Sequence, residues 1–239
     1  MRQVPHYLLI GNGRVARHFQ HYFSLLQLSF TAWHRHEPLE KLQQQLDYST
    51  HILLLISDQA INAFVTNHLT NTKAMRIHFS GSLITASAYG AHPLSTFNHQ
   101  LYPFHHYQSI PFMVDEDAPS FDVLLPGVPN PNWRLSKTSK PKYHALSVLS
   151  GNLTCFLWQK FFYSLQHEFN LPPSVAYPYL RQQMQNLIDD ATSSLTGPLV
   201  RGDRTTIENN LIALQSDPFQ EIYKSFVSCF EQMKKEGWA

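Results

Sequence analysis

The sequence predicts an α/β fold, with a doubly wound parallel sheet in the N-terminal part of the chain and an all-α domain after it. Short apolar runs alternate with amphipathic stretches over the first third of the 239 residues, as buried strands and their crossover helices do. A glycine-rich turn joins the first apolar run to the first amphipathic stretch. From residue 142 onward the pattern is helical.

The N-terminal elements alternate regularly. Val15, Phe19, Tyr22 and Leu26 recur every three or four residues, which is the spacing of one helix face. We expect strands at 7–10, 28–33, 51–56 and 75–79 and helices at 14–27, 38–46 and 59–69. This order implies one parallel, doubly wound sheet.

The pattern changes after residue 88. Further strands are expected at 89–92 and 111–114, and the three prolines of 125–133 exclude a regular helix and predict a loop or linker. Helices are then expected at 143–169, 174–195, 204–215 and 218–236. We therefore predict two domains, 1–136 and 137–239.

The turn after the first strand has the sequence Gly11-Asn12-Gly13-Arg14-Val15-Ala16. This is a G-x-G-x-x-A pattern between a strand and a helix, the fingerprint of a Rossmann dinucleotide-binding domain. The first glycine permits the tight turn and the second lets the backbone approach a pyrophosphate. Residues 11–15 are therefore predicted to bind a cofactor, with a purely structural turn as the alternative.

The end of the second strand indicates which dinucleotide binds. An NAD site requires an acidic residue here for the ribose hydroxyls, but the sequence reads His34-Arg35-His36, with no acid before Glu37. A guanidinium suits a ribose 2′-phosphate. We therefore predict NADP rather than NAD, bound by Arg35 with help from His34 or His36; a solvated basic turn is the alternative.

Polar residues also follow the third and fourth strands, namely Ser57, Asp58, Ser80 and Gly81. Ligands lie at the carboxyl ends of strands in such sheets, so these residues are predicted to line the nicotinamide side of the site. Their alternative role is turn formation.

Two histidines are candidate proton donors or substrate contacts. His92 lies in a polar and aromatic loop, and His144 lies near the start of the long helix with Asn152 two turns further on. Surface or structural use is the alternative for each histidine. His99, His105 and His106 lack the helical spacing and the carboxylates of a metal site, so no metal is predicted.

The helical half contains one dense polar and glycine cluster, TGPLVRGD at 196–203. Arg201 can clamp a carboxylate or phosphate, Thr196 can position a substrate, and Asp203 is a predicted N-cap. A loop between two helices is the alternative.

Composition excludes several classes of protein. Eighteen basic and 17 acidic residues give a net charge of +1, which argues against binding of nucleic acid through a broad basic surface. No apolar stretch approaches the roughly 20 residues of a membrane span, and a cytoplasmic protein is expected. Cys155 and Cys229 are too few for a disulfide scaffold and are expected to be buried free thiols.

Five segments together resemble a known family. GNGRVA, HFSGS, AHPLSTF, KYHALSVLSGN and LTGPLVRGDRTTIENNLIAL, in this order, resemble the Rossmann-like proteins that bear domain of unknown function 2520. That family looks like a branch of the phosphogluconate dehydrogenase-like superfamily, near pyrroline-carboxylate reductase and ketopantoate reductase. The resemblance implies an NADP-binding Rossmann domain, a helical C-terminal domain and a homodimer formed through the latter.

The chain departs from these relatives at particular residues. Asn210 stands where the family usually has a histidine, and the proline-rich segment 125–133 replaces a usual helix. The catalytic lysine of β-hydroxyacid dehydrogenases is not evident, because Lys142 precedes the predicted helix and Lys160 lies far along it.

The leading hypothesis is an NADP-dependent oxidoreductase that acts on a small anionic substrate in a cleft between the domains. The nicotinamide would carry the hydride, His144 or His92 would donate the proton, Asn152 and Thr196 would position the substrate, and Arg201 would bind its charge. A non-catalytic NADP(H) sensor or interaction module is the alternative, favoured by the missing lysine. A helical dimer whose Rossmann half has lost its ligand is a third, opposed by the intact Gly11 and Gly13.

Overall fold

The structure is a computed structural model that describes residues 4–237. The chain divides into two compact units between Leu157 and Trp158. The first unit contains all the described strands, and the second is helical. The predicted fold class, a Rossmann-type sheet followed by helices, is confirmed.

Seven strands form one sheet in the order β2-β1-β3-β4-β5-β6-β7. Their bounds are β1 His6–Ile10, β2 Ser29–Trp33, β3 His51–Leu54, β4 Met75–His78, β5 Tyr89–Pro93, β6 Phe112–Asp115 and β7 Asn132–Leu135. Neighbouring strands are parallel except β5 and β6, which are antiparallel. The order reverses beside β1, where ligands bind in open α/β sheets.

The helices of the first unit are α1 Arg14–Leu25, α2 Leu39–Leu46, α3 Asp58–His68, α4 Phe104–Ser109, α5 Phe121–Leu124 and α6 Lys140–Val148. The helix α7, Thr154–His167, begins in the first unit and ends in the second. The remaining helices are α8 Tyr177–Asp189, α9 Pro198–Arg201, α10 Arg204–Ala213 and α11 Phe219–Lys235.

The core of the first unit lies on both faces of the sheet. Alternate residues of a strand point to opposite faces, so Leu9 and Leu53 pack with the aromatic side chains of α1 while Ile10 and Leu54 pack with α3. All four of these side chains are buried. This explains why the strands read as continuous apolar runs rather than alternating ones.

The segment predicted to be a loop, 125–133, contains the start of a strand. Pro131 ends the proline-rich run, and β7 begins at the next residue and pairs with β6. Proline lacks an amide donor but is tolerated at the beginning of a strand. The prediction was therefore wrong at its C-terminal end.

The long helix predicted for 143–169 is interrupted. α6 begins at Lys140, three residues earlier than predicted, and a π-helical turn, Leu149–Leu153, separates it from α7. Proline at the second position suits a helix start because the first turn needs no amide donors. Lys142, which the sequence placed before the helix, lies inside α6.

The second unit is held by contacts among its own helices. The Nζ atom of Lys160 lies 2.5 Å from Asp217 Oδ2, the rings of Trp158 and Tyr179 meet edge to face, and Asn210 donates to the hydroxyl of Tyr223 at 3.0 Å. Asn210 therefore connects α10 to α11.

Candidate functional site

A cavity of about 660 Å³ lies at the carboxyl ends of β1, β2 and β3. We call it the glycine cavity. Its polar and glycine lining residues are Gly11, Asn12, Gly13, His34, Arg35, His36, Ser57 and His68. Six predicted cofactor residues thus share one cavity. Arg14, a seventh, is exposed on the first turn of α1 and outside this lining.

The two glycines of the fingerprint have separate physical roles. Gly11 has a φ of 132°, and a Cβ placed there would lie 2.3 Å from the carbonyl oxygen of Leu55. Gly13 is the N-cap of α1, and a Cβ there would meet no protein atom within 4 Å. The first glycine is thus required by the packing of two strand ends, and the second leaves space beside the helix N-terminus, where a phosphate binds.

The part of the glycine cavity that lies beside the end of β2 is basic. His34, Arg35 and His36 follow β2, and the described lining of this cavity contains no carboxylate. Glu37 faces its own loop, where it pairs with Lys41 and accepts the amide of His34 at 3.1 Å. The acid that follows this basic segment is therefore engaged elsewhere, and the arrangement fits an anionic ribose 2′-phosphate better than free ribose hydroxyls.

A second cavity of about 250 Å³, the bridging cavity, shares Leu55 and Ile56 with the first. Val15, Asp58, Ser80 and His92 line it as well. The hydroxyl of Ser80 donates to Asp58 Oδ2 at 2.5 Å and accepts the amide of Leu83 at 2.9 Å. Ser80 therefore stabilises the turn after β4 and also lines the bridging cavity. Its place beside a nicotinamide stays a prediction.

A third cavity of about 580 Å³, the histidine cavity, shares His92 and Ser95 with the bridging cavity. His92 from β5 and Tyr143 and His144 from α6 line it. His92 Nδ1 lies 3.1 Å from the hydroxyl of Tyr143, and the rings of His92 and His144 are nearly perpendicular with centroids 5.8 Å apart.

Gly81 allows this arrangement of histidines. A Cβ at this position would lie 2.4 Å from Nδ1 of His144 and 3.1 Å from Nε2 of His92. The backbone after β4 can therefore approach both rings only because residue 81 has no side chain. Nδ1 of His144 is buried and has no protein hydrogen-bond partner among the described residues.

Burial controls protonation at the histidine cavity. The pKa of His92 is lowered to about 4, mainly by desolvation and to a smaller extent by the nearby charges of His144 and Lys140, while Asp58 opposes the shift. Burial raises the pKa of Tyr143. At neutral pH the site therefore holds a neutral imidazole beside a protonated phenol.

The π-helical turn supplies another wall of the histidine cavity. Ser150, Gly151 and Asn152 lie in this turn and line the cavity. Turns of this kind inside α-helices are frequent at functional sites, because they displace side chains from regular helical spacing. The structure thus brings the predicted residue Asn152 to the same cavity as His92 and His144.

Two predicted site residues, Thr196 and Arg201, lie in the second unit. Both are exposed, Thr196 just before α9 and Arg201 at its last position, and their part in the site stays a prediction. The predicted N-cap is confirmed, because Asp203 accepts the amide of Thr206 at 3.0 Å. The prediction of buried thiols was wrong, since Cys155 and Cys229 are both exposed on α7 and α11.

Two residues of this region were missed by sequence reasoning. Tyr143 directly precedes the candidate His144, and Lys140 lies before the helix expected at 143–169. The available signal was Pro141, which favours the first turn of a helix and places its start at residue 140. Their partners on β5 and β6 are remote in sequence and gave no local signal.

Residues 4–237 contain no group of three histidine, cysteine or acidic side chains that could hold a metal ion. Within the same range, no helix combines the length and apolar character needed to cross a membrane.

The sheet order, the glycine turn and the cavity at the switch point define a Rossmann-type protein with a helical C-terminal part. A family model, Domain of unknown function (DUF2520), matches residues 114–228. The match covers just under half of the chain, and the resemblance inferred from the motifs is confirmed. The KYHALSVLSGN and TGPLVRGD segments lie inside the match, whereas GNGRVA lies outside it. A search of curated proteins found no match.

Solved structures share the fold over nearly the whole chain. BF3122, a proposed NADP oxidoreductase from Bacteroides fragilis, has a TM-score of 0.77 at 18% identity and covers 95% of this chain and 98% of its own. Protein TM1727 from Thermotoga maritima has a TM-score of 0.69 at 18% identity, with coverage of 98% and 100%. A reductive aminase from Aspergillus terreus, in complex with NADPH and ethyl levulinate, has a TM-score of 0.60 at 15% identity, with coverage of 98% and 95%. At these identities the likeness establishes the fold.

Proposed function

We propose that this protein is an NADP-dependent oxidoreductase that transfers a hydride to or from a small anionic substrate. The observation that carries this proposal is the succession of three cavities that share lining residues. They lead from Arg35, past Asp58 and Ser80, to His92 and His144. The NADPH in the reductive aminase and the NADP in the description of the Bacteroides protein support the choice of cofactor.

The residues present fit a dinucleotide. Gly13 and the N-terminus of α1 would hold the pyrophosphate, Arg35 and His34 the 2′-phosphate, and Ser57 and the bridging cavity the nicotinamide end. The bound cofactor would supply the hydride chemistry. The chain itself must orient the substrate and handle one proton.

We infer that the proton is handled by Tyr143, His92 and His144. Because its pKa is about 4, His92 is neutral at pH 7 and acts as a hydrogen-bond acceptor or relay rather than as a cationic acid. Tyr143 holds a proton at neutral pH and contacts Nδ1 of His92. The group that donates a proton to the substrate is then the Tyr143 hydroxyl or the His144 ring, since both residues line the histidine cavity.

Substrate binding extends this proposal to polar residues. Asn152 lines the histidine cavity and offers an amide for orientation. Thr196 is proposed as a second positioning residue, and Arg201 is proposed to bind an acidic group of the substrate, since a guanidinium can form two parallel hydrogen bonds to a carboxylate or phosphate.

The first test is a fluorescence titration of the protein with NADPH and NADH. We expect NADPH to bind more tightly, and Arg35→Ala to weaken NADPH by at least about tenfold because a charge-assisted contact is lost. The affinity for NADH should change little. Lys73→Ala removes the same charge from an exposed residue just before β4, at the amino end of that strand and outside the lining of the glycine cavity, and is the matched control. Equal losses for both nucleotides would contradict the assignment of Arg35.

A second test separates an enzyme from a sensor. NADPH oxidation is measured with carbonyl and imine compounds, with and without acidic groups. Tyr143→Phe and His144→Gln should lower turnover while NADPH affinity stays near wild type. Tight NADPH binding without turnover of any compound would favour the non-catalytic sensor.

We further propose a homodimer formed through the helical part of the chain. Leu146, Leu149 and Leu153 follow one another at intervals of three or four residues, and each is about half exposed. Such a stripe is typical of helices that pack on a partner. Leu149→Glu should lower the molar mass measured by light scattering, whereas Val123→Glu, at a similarly exposed apolar residue of α5, should not.

A further inference from the structure

One charged pair in the first unit is almost completely buried and lies outside the three cavities. Nζ of Lys140 lies 2.7 Å from Oδ1 of Asp115, and both side chains are at most 3% exposed. The second carboxylate oxygen of Asp115 accepts the amide of Gly90 at 2.8 Å. Charges buried this deeply lower the stability of a protein unless they are fully paired. The presence of this pair therefore suggests that it has a structural or functional role.

The pair connects the two elements that carry the proton-handling residues. Gly90 lies two residues before His92 on β5, on the same face of that strand. Lys140 lies one helical turn before His144 on α6, on the same helix face. Asp115 therefore binds β5 through a backbone amide and α6 through an ammonium group.

Two glycines provide the space in which α6 is seated. A Cβ at Gly90 would lie 2.5 Å from Nζ of Lys140 and 2.7 Å from Oδ1 of Asp115. A Cβ at Gly81 would lie 2.4 Å from Nδ1 of His144. The side chains of Lys140 and His144 thus each occupy space that a side chain at Gly90 or Gly81 would fill. These two contacts constrain both the position of α6 and its rotation about its axis.

We propose that Lys140 and Asp115 are positioning residues that hold Tyr143 and His144 of α6 against His92 of β5. Neither residue lines the histidine cavity, so neither touches a substrate there. Their importance for catalysis rests on the function proposed above, but their effect on the geometry of His92 does not. Displacements of about 1 Å in a catalytic group can cost about 100-fold in rate.

The alternative is that the pair only stabilises the fold. The double variant Lys140→Met/Asp115→Asn separates the two roles, because it removes both charges together and keeps an oxygen that can accept the Gly90 amide. A variant that removed one partner alone would leave an unpaired buried charge and would unfold the protein for a trivial reason.

The experiment is imidazole ¹⁵N NMR on the full chain, with His92 assigned from the spectrum of His92→Gln. Tyr143→Phe gives the ¹⁵N shifts of His92 without the hydroxyl contact. In the folded double variant we expect the His92 shifts to move from the wild-type values toward those of Tyr143→Phe. Lys142→Met, which removes an exposed charge from the same helix, should retain the wild-type shifts.

Wild-type His92 shifts in the folded double variant would overturn the proposal. If that variant does not fold, Gly90→Ala provides a second test, because the Cβ of alanine displaces the ammonium group of Lys140 while both charges remain. We expect the same movement of the His92 shifts in this variant. Unchanged shifts would again contradict the proposal. With any compound that the protein reduces, kcat should fall at least tenfold while the KM for NADPH stays within twofold. Absence of NADPH binding would remove the proposed function but would leave the NMR result intact.

Discussion

The two units differ in where they place their apolar side chains. Among residues 4–237, all but two of the buried hydrophobic residues, Leu165 and Ala176, lie in the first unit. The second unit leaves many large apolar side chains about half exposed or more, including Phe169, Tyr179, Ile188 and Ile212. A sheet covered on both faces builds its own core, whereas short helices with apolar residues on several sides need a further surface to cover them. The first unit thus has an apolar core of its own, whereas the second unit leaves much of its apolar surface exposed.

The largest expected difference between the units concerns loss of apolar volume. Leu53→Ala, at a fully buried position of β3, should lower the free energy of unfolding by about 3 kcal/mol because it leaves a cavity. Ile188→Ala, at a 77% exposed position of α8, should change it by less than about 0.5 kcal/mol. Urea unfolding at several protein concentrations measures both values. A large cost for Ile188→Ala that grows with protein concentration would show that this surface is covered in solution.

A second difference concerns pH. Desolvation lowers the pKa of His78, which is fully buried on β4, to about 4. The unfolded chain therefore binds a proton between about pH 6.5 and 4 that the folded chain does not bind. The stability is fully present above that range and falls by up to about 3 kcal/mol as the pH drops through it. The pKa of His92 is lowered in the same direction, so His92 also contributes to the loss of stability as the pH falls.

Urea unfolding at pH 7 and pH 4.5 tests this dependence. His78→Leu should reduce the loss of stability between the two pH values, because the contribution of His78 is removed. The loss should not disappear, because the buried His92 still contributes. His167→Gln, at an exposed position of the second unit, should retain the full loss. An unchanged pH dependence in His78→Leu would show that other groups control acid unfolding.

The smallest expected effect concerns a helix cap in the second unit. Asp203 accepts hydrogen bonds from the amide and the hydroxyl of Thr206, so Asp203→Ala should lower Tm by a few degrees. Asp203→Asn should retain most of the cap. Ser57, the N-cap of α3, makes no side-chain capping bond, and Ser57→Ala should change Tm less. Equal effects of the two alanine variants would show that capping at Asp203 is not what stabilises α10.

Prediction from sequence succeeded where the signal is local. The apolar runs of β1 and β3, the glycine turn and the basic end of β2 each occupy a few consecutive residues, and their positions in the fold follow from strand order alone. The strand β7 was missed because it directly follows a proline-rich segment that predicts a loop. The π-helical turn was missed because the apolar pattern continues through it and predicts one uninterrupted helix.

The sequence by itself determined the fold class, the glycine turn after β1 and the cap at Asp203, because short-range periodicity and turn chemistry encode them. Only the tertiary structure decided that Tyr143 contacts His92, that Asp115 binds both Lys140 and Gly90, and that Gly81 makes room for two histidines. Tyr143 is 51 positions from His92, and Asp115 is 25 positions from both Lys140 and Gly90. Gly81 lies 11 positions before His92 and 63 before His144. The geometry of these contacts depends on how α6 is seated on the sheet, which no local pattern specifies.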